Sequence, residues 1–470
     1  MKLKNDLLPH QEAAVEKLIK LKVGALFMEQ GTGKTITTIE IARRRYEAGK
    51  IEKVIWLCPC SAKENIKKEI LKQCPEELLK IFVICGIETL SSSIRANEYL
   101  RMLAAGKKCF LIVDESLLVK NPRAYRTENI VWLSRACPYK IILNGTPVSR
   151  NEADLYAQFY ILDWRILGYQ SYWSFAANHL EYDDYGRLRR VLNTNYLAQK
   201  IAPYTYQVLK RDCLNLPAKK YKTSGFLLTE KQEEEYEWAA NYLMQGIDER
   251  EPQTIYRLFS GLQAVISGKK LIFEGRQHFR AVEMFENPTD NPRISHLLQI
   301  LPDEKTIIFC RYESEISQLC SILPDAVRFD GTVPIKKRNE SLKQFRGEKK
   351  YLIANKNCAG FSLNLQFCHN IIYFSNDWEL GKRLQSEDRV HRLGQEEDVL
   401  ITDIYAIGTL DERILQCLNK KESILDSVKH EISQADGDLK VGIKNMIYGS
   451  RYRHEVFDCG ELEDGHAENI

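Results

Sequence analysis

Short apolar runs rich in β-branched residues recur along the chain, each followed by turn residues and then by a helical pattern. In the first part of the chain these runs cover 25–28, 54–58, 110–115 and 140–146. The same rhythm returns later, at 305–310, 326–331, 351–355, 370–375 and 399–407. Alternation of this kind is typical of parallel sheets wrapped by helices. The sequence therefore predicts an α/β chain with two such sheets in tandem.

The 470 residues suggest about three domains, or two large ones. We expect α/β domains over residues 1–150 and 291–430. The segment 151–290 lacks apolar strand patterns and is rich in Tyr, Trp, Leu and Glu, so we interpret it as helical insertions and a linker. Residues 431–470 form a C-terminal extension whose last part, 458–470, is acidic and is expected to be solvated.

Charge and cysteine content narrow the possible environment and partners. Net charge is only +3, from 67 Lys and Arg against 64 Asp and Glu, so a polyanion would need a localised binding surface. The 13 cysteines are scattered without a CxxC pair, which favours a reducing compartment over a disulfide framework or zinc ribbon. The sequence contains no run of about 18 apolar residues, which is the length needed to span a bilayer. We therefore expect an intracellular chain with no membrane partner.

A Gly-rich turn lies at 27–35, directly after an apolar strand and directly before a helical pattern. This is the context of a P-loop, in which backbone N–H groups approach phosphate oxygens and a Lys reaches the β and γ phosphates. The strict GxxxxGK[ST] pattern is broken because Met28 occupies its first glycine position. An ordinary glycine turn is the alternative. The nucleotide-binding candidates are Gly31, Thr32, Gly33, Lys34 and Thr35.

A second strand pattern, at 110–115, delivers two adjacent acids at its carboxyl end. Ligands of open α/β sheets bind at that edge. Asp114 is therefore predicted to hold Mg²⁺ together with Thr35, while Glu115 polarises the attacking water. An acidic turn after a strand is the alternative interpretation, but the P-loop precedes this motif in the required order.

A third motif, QSEDRVHRLGQ at 385–395, is polar. If it is helical, Arg389 and Arg392 lie on one face and can both point at the γ-phosphate of a nucleotide held by Lys34. Arginine fingers of this kind stabilise the charge on the transferring phosphoryl group. A solvent-exposed basic helix is the alternative for this motif taken alone.

Taken together, these motifs resemble helicase superfamily two, and within it the SWI/SNF-type remodeller and translocase ATPases in a compact single-motor form. The similarity runs from LLPHQ (7–11) to GTLDERI (408–414), and the RxHRxGQ string ending at 395 is its most specific part. DES at 114–116 and NGT at 144–146 depart from the family's DEA and TGT. The resemblance implies two RecA-like lobes, ATP and Mg²⁺.

The resemblance also assigns roles to further residues. LLPHQ is similar to the adenine-recognising motif, which gives that role to Gln11. The segments at 57–70, 86–91 and 358–378 are similar to the family's DNA-backbone and glycine-rich segments. The residues that the resemblance implies for DNA contact are Ser61, Lys63, Thr89, Gly360 and Asn364. Those implied for coupling of ATP hydrolysis to DNA are Gly145, Thr146 and Gln385.

The favoured function is an ATP-driven motor that moves along duplex or branched DNA as a monomer, gripping mainly the DNA backbone. Two alternatives stay open. One is a strand-separating DNA or RNA helicase, against which the RxHRxGQ string argues. The other is a nucleotide-regulated DNA-binding scaffold without turnover, which would need neither a water-polarising acid nor arginine fingers.

Overall fold

A computed structural model describes most of the chain in two compact units. The units are Met1–Leu216 and Pro217–Ile470. The described residues are 3–146, 152–182, 188–214, 216–247, 252–274, 278–356, 365–420, 424–435 and 438–448. The acidic tail predicted at 458–470 lies outside them.

The first unit contains eight described strands and eleven described helices. Its strands are β1 (Val23–Met28), β2 (Lys53–Cys58), β3 (Phe82–Gly86), β4 (Cys109–Val113), β5 (Tyr139–Asn144), β6 (Leu180–Tyr182), β7 (Leu188–Val191) and β8 (Thr205–Val208). Its helices are α1 (Pro9–Ile19), α2 (Lys34–Glu47), α3 (Lys63–Gln73), α4 (Glu76–Leu79), α5 (Thr89–Ser92), α6 (Ile94–Gly106), α7 (Tyr125–Ala136), α8 (Leu155–Asp163), α9 (Tyr172–His179), α10 (Thr194–Ile201) and α11 (Lys210–Cys213).

Six strands of this unit form a parallel sheet in the order β3-β2-β4-β5-β1-β8. The central strands are buried on both faces, so alternate residues enter different cores. In β1, Ala25 and Phe27 pack into one core, whereas Leu26 and Met28 pack into the other. This double burial explains why the strands read as continuous apolar runs. Because the strands are parallel, the loops after β1, β4 and β5 all meet at one edge.

The second unit contains eight described strands and nine described helices. Its strands are β9 (Lys219–Phe226), β10 (Lys269–Glu274), β11 (His278–Glu283), β12 (Thr306–Cys310), β13 (Ala326–Phe329), β14 (Tyr351–Asn355), β15 (Asn370–Tyr373) and β16 (Val399–Ala406). Its helices are α12 (Glu230–Met244), α13 (Pro252–Ile266), α14 (Pro292–Ile300), α15 (Glu313–Ile322), α16 (Ile335–Arg346), α17 (Leu380–Glu387), α18 (Leu410–Asn419), α19 (Ile424–Gln434) and α20 (Leu439–Ile447).

The second unit repeats the plan of the first with a parallel sheet ordered β13-β14-β12-β15-β16-β9. In β12, Ile307 and Phe309 face one core while Ile308 and Cys310 face the other. The predicted α/β class with two RecA-like parallel sheets is confirmed. Among the described residues, no helix is both long and apolar enough to cross a bilayer.

The segment 151–290 contains helices α8 to α13 and also strands, which its lack of apolar strand patterns did not predict. This segment supplies β8, which pairs with β1, and β9, which pairs with β16, as well as the β6–β7 and β10–β11 hairpins. Strands β8 and β9 are each at the edge of a sheet and only partly buried. Edge strands carry polar residues, as in KKYKTSGF, and therefore lack the apolar run that marks a central strand.

Candidate active site

The glycine turn lies between β1 and α2, and its backbone needs glycine at two positions. Gly31 and Gly33 have φ angles of 87° and 96°, in the left-handed region that side chains disfavour. A Cβ atom at Gly33 would also lie 2.2 Å from Nε2 of Gln11. Gly33 caps the N-terminus of α2, so the loop presents the helix end where a phosphate binds.

Met28 explains why the strict phosphate-loop pattern is broken. Its side chain is fully buried in the core, so no glycine is needed at this position. Its carbonyl oxygen accepts a hydrogen bond of 2.7 Å from Nζ of Lys34. The ammonium group is thus held over the loop, which is the location required for a phosphate contact. The backbone of Met28, and not its side chain, serves the site.

Gln11 braces the phosphate loop from the N-terminal helix α1. Its Nε2 donates to the Thr32 carbonyl at 3.0 Å, and its Oε1 accepts from the Leu8 amide at 3.0 Å. The ring of His10 also hydrogen-bonds the Thr32 carbonyl, at 2.8 Å. The Thr32 hydroxyl donates to the Glu29 carbonyl at 2.7 Å, so this side chain turns into the loop. Adenine recognition by Gln11 stays a prediction, and bracing of the loop is its observed role.

The two adjacent acids follow β4 at the same edge of the sheet. The Glu115 amide donates to Oδ1 of Asp114 at 2.9 Å, and Glu115 itself has a φ of 50°. Left-handed backbone at a residue other than glycine is strained and tends to persist at functional sites. Burial, together with the neighbouring charge of Glu115, raises the pKa of Asp114 to about 7, although Lys34 acts in the opposite direction.

The predicted magnesium ligands have the right chemistry. Thr35 is the second residue of α2 and offers a hydroxyl oxygen, and Asp114 offers a carboxylate. Mg²⁺ prefers such oxygen donors and takes its remaining ligands from phosphates and water. The raised pKa of Asp114 is the electrostatic sign of a carboxylate that gains from a nearby cation. These two residues fit Mg²⁺.

The segment after β5 lies beside the phosphate loop. The Asn144 side chain accepts from the Gly145 amide at 2.7 Å, and a Cβ atom at Gly145 would lie 3.8 Å from the Gln30 side chain. Thr146 is exposed, and residues 147–151 lie outside the described chain. Gly145 and Thr146 are therefore near the nucleotide loop, and their coupling role stays a prediction.

Three of the predicted DNA-contact residues share one edge of the first sheet. Ser61 and Lys63 follow β2 and are exposed, while Thr89 begins α5 just after the neighbouring strand β3. The side chains of Cys60 and Thr89 are in contact at 3.5 Å, which ties the two segments together. Gly360 and Asn364 lie outside the described residues. The structure thus brings Ser61, Lys63 and Thr89 into one neighbourhood.

The third motif is only partly helical, so the helical arrangement considered for Arg389 and Arg392 is not what the structure shows. Helix α17 ends at Glu387, so half-buried Gln385 lies on it, whereas Arg389 and Arg392 lie in the turns that follow. The Arg389 carbonyl accepts from the Leu365 amide at 3.1 Å. Gly394, with a φ of 94°, closes this turn region. Turn backbone, and not helical spacing, positions the two arginines.

Arg383, which belongs to none of the predicted motifs, anchors α17 in a buried network of charges. Its guanidinium donates to both carboxylate oxygens of Asp403, at 2.6 and 2.8 Å, and to Glu387 at 3.1 Å. Glu387 also accepts from Lys219 at 3.1 Å. Burial alone would lower the pKa of Arg383, but Asp403 and Glu387 raise it above its ordinary value. The helix that leads into Arg389 is therefore held by paired buried charges.

Comparisons with known proteins agree with this arrangement. An SNF2-related domain matches residues 82–271, a helicase conserved C-terminal domain matches 292–394, and the res subunit of type III restriction enzymes matches 4–130. Transcription regulatory protein SNF2 of Saccharomyces cerevisiae is 26% identical over 454 residues, covering 85% of this chain and 26% of that protein. The chain is a SWI/SNF-type ATPase of helicase superfamily two.

Two further proteins are similar to this SWI/SNF-type ATPase. The TATA-binding protein-associated factor mot1 of Aspergillus fumigatus is 23% identical over 526 residues, covering 93% of this chain and 27% of that protein. The SWI2/SNF2 ATPase core of Sulfolobus solfataricus in complex with dsDNA has a TM-score of 0.41 and 21% identity, covering 94% of this chain and 97% of that chain. The chain spans about a quarter of the length of mot1 and SNF2.

The departures of this SWI/SNF-type ATPase from its family motifs have local explanations. Ser116 stands where the family has Ala, and its hydroxyl donates to Oε1 of Gln158 at 2.6 Å in a buried site. His10 was not among the predicted site residues, but it contacts the same carbonyl as Gln11 and precedes it directly in LLPHQ. Arg383 was likewise not among the predicted site residues. The only nearby residue that could indicate the role of Arg383 is Glu387, four residues later, because Asp403 is twenty residues away.

Proposed function

We propose that this SWI/SNF-type ATPase hydrolyses Mg²⁺-bound ATP when it binds nucleic acid and uses the cycle to move along duplex DNA without separating its strands. The observation that carries the proposal is the meeting of the phosphate loop and the two acids at one edge of the first sheet. An ATP-hydrolysing site needs a phosphate cradle, a metal ligand and a water-polarising acid. Lys34, Asp114 and Glu115 supply these three functions.

Each proposed role follows from chemistry at a named atom. The Lys34 ammonium neutralises phosphate charge, and the N-terminus of α2 adds N–H donors. Thr35 and Asp114 would hold Mg²⁺, which when bound would neutralise charge on the phosphate oxygens. The Glu115 carboxylate orients water and accepts its proton. Arg389 and Arg392 are proposed to stabilise the charge that develops on the γ-phosphate.

DNA is the proposed track because three candidate backbone-contact residues cluster after β2 and β3. A hydroxyl, an ammonium and another hydroxyl, from Ser61, Lys63 and Thr89, suit phosphates and do not read base edges. Binding should therefore be tolerant of sequence and sensitive to salt.

The decisive experiment measures steady-state ATPase activity without nucleic acid and with single-stranded DNA, duplex DNA, branched DNA or RNA. Displacement of the third strand of a triplex and separation of a labelled duplex are then compared. The proposal is supported if duplex DNA stimulates ATP hydrolysis and the third strand of the triplex is displaced while the labelled duplex stays intact. Duplex separation instead supports the strand-separating helicase, and nucleotide-dependent DNA binding without phosphate release supports the scaffold. Glu115→Gln is the turnover control.

The DNA surface has its own test with a matched control on the same helix. Lys63→Glu changes an exposed residue at the start of α3, and Lys72→Glu changes an exposed residue in its last turn. Lys63→Glu should raise the duplex concentration for half-maximal stimulation several-fold and reduce the salt slope of binding by about 1. Lys72→Glu should leave both unchanged. Equal effects of the two variants would contradict a localised contact.

A further inference from the structure

Two neighbouring cavities lie along helix α7 in the first unit. Their volumes are about 380 and 550 Å³, and they share Val131, Arg135, Tyr160 and Gln170. We call the two together the α7 groove, formed between α7 and the segment that runs from α8 to α9. One end reaches Lys140, near the start of β5. Of the described residues that line the groove, none belongs to the phosphate loop or is one of the two acids, so the groove is separate from the residues proposed for hydrolysis.

The α7 groove exposes two large aromatic side chains above a firmly packed floor. Trp132 and Trp173 are 60% and 70% exposed. Beneath them, Tyr156 is buried and its ring lies 5.4 Å from Tyr172 and 5.2 Å from Phe175. Neighbouring exposed tryptophans over cavities of this size are typical of interaction surfaces, because Trp buries much apolar area at small entropic cost.

The charges of the groove favour an anionic partner. Among the described residues that line it, four are cationic and two are acidic. They are Arg123, Arg135, Lys140 and Arg165, and Glu128 and Asp163. Asp163 is already paired with Arg165 at 2.5 Å, which leaves Glu128 against three cations. Burial also lowers the pKa of Lys140, so a bound carboxylate would favour its charged form.

Two of these cations are held in place by the exposed tryptophans. The Arg135 guanidinium lies 5.2 Å from the ring centre of Trp132, and that of Arg123 lies 4.8 Å from the ring centre of Trp173. Cation–π contacts of this kind orient a guanidinium before a ligand arrives, which reduces the entropic cost of binding. The groove therefore offers apolar cavities bordered by fixed cationic donors.

We propose that the α7 groove binds an acidic peptide segment of a partner protein, whose bulky apolar side chains fill the two cavities and whose carboxylates pair with Arg123 and Arg135. A peptide fits better than nucleic acid because the tyrosine floor gains from burial of apolar side chains. A duplex backbone presents phosphates and sugars, which have no bulky apolar group to place there.

The test measures fluorescence anisotropy of a fluorescein-labelled peptide in which Glu and Asp alternate with Trp and Leu, at physiological salt. The nucleotide-free full chain should bind it saturably. Arg135→Glu and Trp173→Ala should each weaken binding about tenfold or more, because one reverses a paired charge and the other removes an anchor. Their ATPase rates should match the wild type, which also shows that both variants fold.

Matched controls come from the second unit. Arg280→Glu and Trp238→Ala change an exposed Arg and a half-exposed Trp of the same types, and each should leave peptide affinity within about twofold of wild type. A peptide with Gly in place of Trp and Leu should bind far more weakly.

Four results would overturn the proposal. They are absence of peptide binding, equal binding of the Gly-substituted peptide, a matching loss of duplex DNA affinity in Arg135→Glu, and peptide-competed self-association of the chain in sedimentation. The third would make the groove a nucleic-acid surface, and the fourth would make it a self-association surface. Because binding is measured without nucleotide, failure here leaves the proposed ATP-driven motion untouched.

Discussion

The nucleotide loop of the first unit and the arginine segment of the second are held in place by different means. Around the loop, position is set by backbone geometry and short local contacts, such as the left-handed Gly33 and the Gln11 bond to the Thr32 carbonyl. Before Arg389, position is set by buried charges that lie far apart in sequence, chiefly Arg383 and Asp403. A site positioned by local backbone geometry can be recognised from a short sequence motif, whereas a site positioned by charges far apart in sequence cannot.

The largest expected effect separates the roles of the two regions. Lys34→Ala should abolish turnover and weaken ATP binding, since the ammonium belongs to the phosphate cradle. Arg389→Ala should lower kcat by about 10³-fold or more and leave ATP binding nearly intact, as expected of an arginine finger. Phosphate release and binding of a fluorescent ATP analogue measure the two quantities. Equal loss of binding in both variants would contradict the division of roles.

Removal of one member of the buried charge network in the second unit should strongly destabilise that unit. Arg383→Ala leaves Asp403 and Glu387 buried with fewer partners, so we expect a loss of about 3–5 kcal/mol in the free energy of unfolding of that unit. Urea denaturation measures it. Arg280→Ala removes an exposed guanidinium and should change stability by under about 0.5 kcal/mol. Replacing Arg383 and Asp403 together by apolar residues should cost less than Arg383→Ala alone.

The backbone origin of the nucleotide loop is tested with two glycines. Gly33 and Gly49 have φ angles of 96° and 65°, but a Cβ atom would meet Gln11 at the first and nothing within 4 Å at the second. Both Ala variants should lose about 1–2 kcal/mol of stability from left-handed backbone. Only Gly33→Ala should also weaken ATP binding, by about tenfold or more. If Gly49→Ala weakened it equally, the contact with Gln11 would be irrelevant.

The smallest effect concerns the charge of Asp114. Its pKa of about 7 in the folded chain is above the value near 3.9 of an unfolded one. Above pH 7 the buried charge of Asp114 lowers the free energy of unfolding by its full amount. As pH falls below 7, protonation of Asp114 removes this charge and the free energy of unfolding rises. Asp114→Asn removes this cost. It should raise the Tm of the nucleotide-free chain at pH 8 by about 2–4 °C, with a smaller gain near pH 5.

If the Tm difference for Asp114→Asn stayed constant between pH 5 and 8, burial of the carboxylate would not be the cause. Thr32→Ser is a useful control in the same thermal measurements. It keeps the hydroxyl bond to the Glu29 carbonyl and adds no titratable group, so its effect should not vary with pH.

Features that depend on local sequence could be predicted, whereas features that depend on contacts between distant residues could not. The central strands were predictable because burial on both faces makes them continuously apolar. Edge strands β8 and β9 were missed because their solvent side admits Lys, Thr and Gln. The phosphate loop and the acids were predictable as motifs, but the end of α17 at Glu387 was not. The residues of QSEDRVHRLGQ before Gly394 are compatible with a helix. The turn that replaces the helix depends on contacts with residues outside the motif, such as the hydrogen bond from the Leu365 amide to the Arg389 carbonyl.

The bidentate contact between Arg383 and Asp403 has an evolutionary consequence. Loss of either residue leaves the other in a buried site without this partner. A lineage that replaces one of the two residues is therefore expected to replace the other as well. Aligned relatives should therefore show correlated changes at these positions, with Arg and Asp gained or lost as a couple. Lineages that lack both residues must hold α17 in place through other contacts. The residue at position 383 therefore indicates how this helix is stabilised in each lineage.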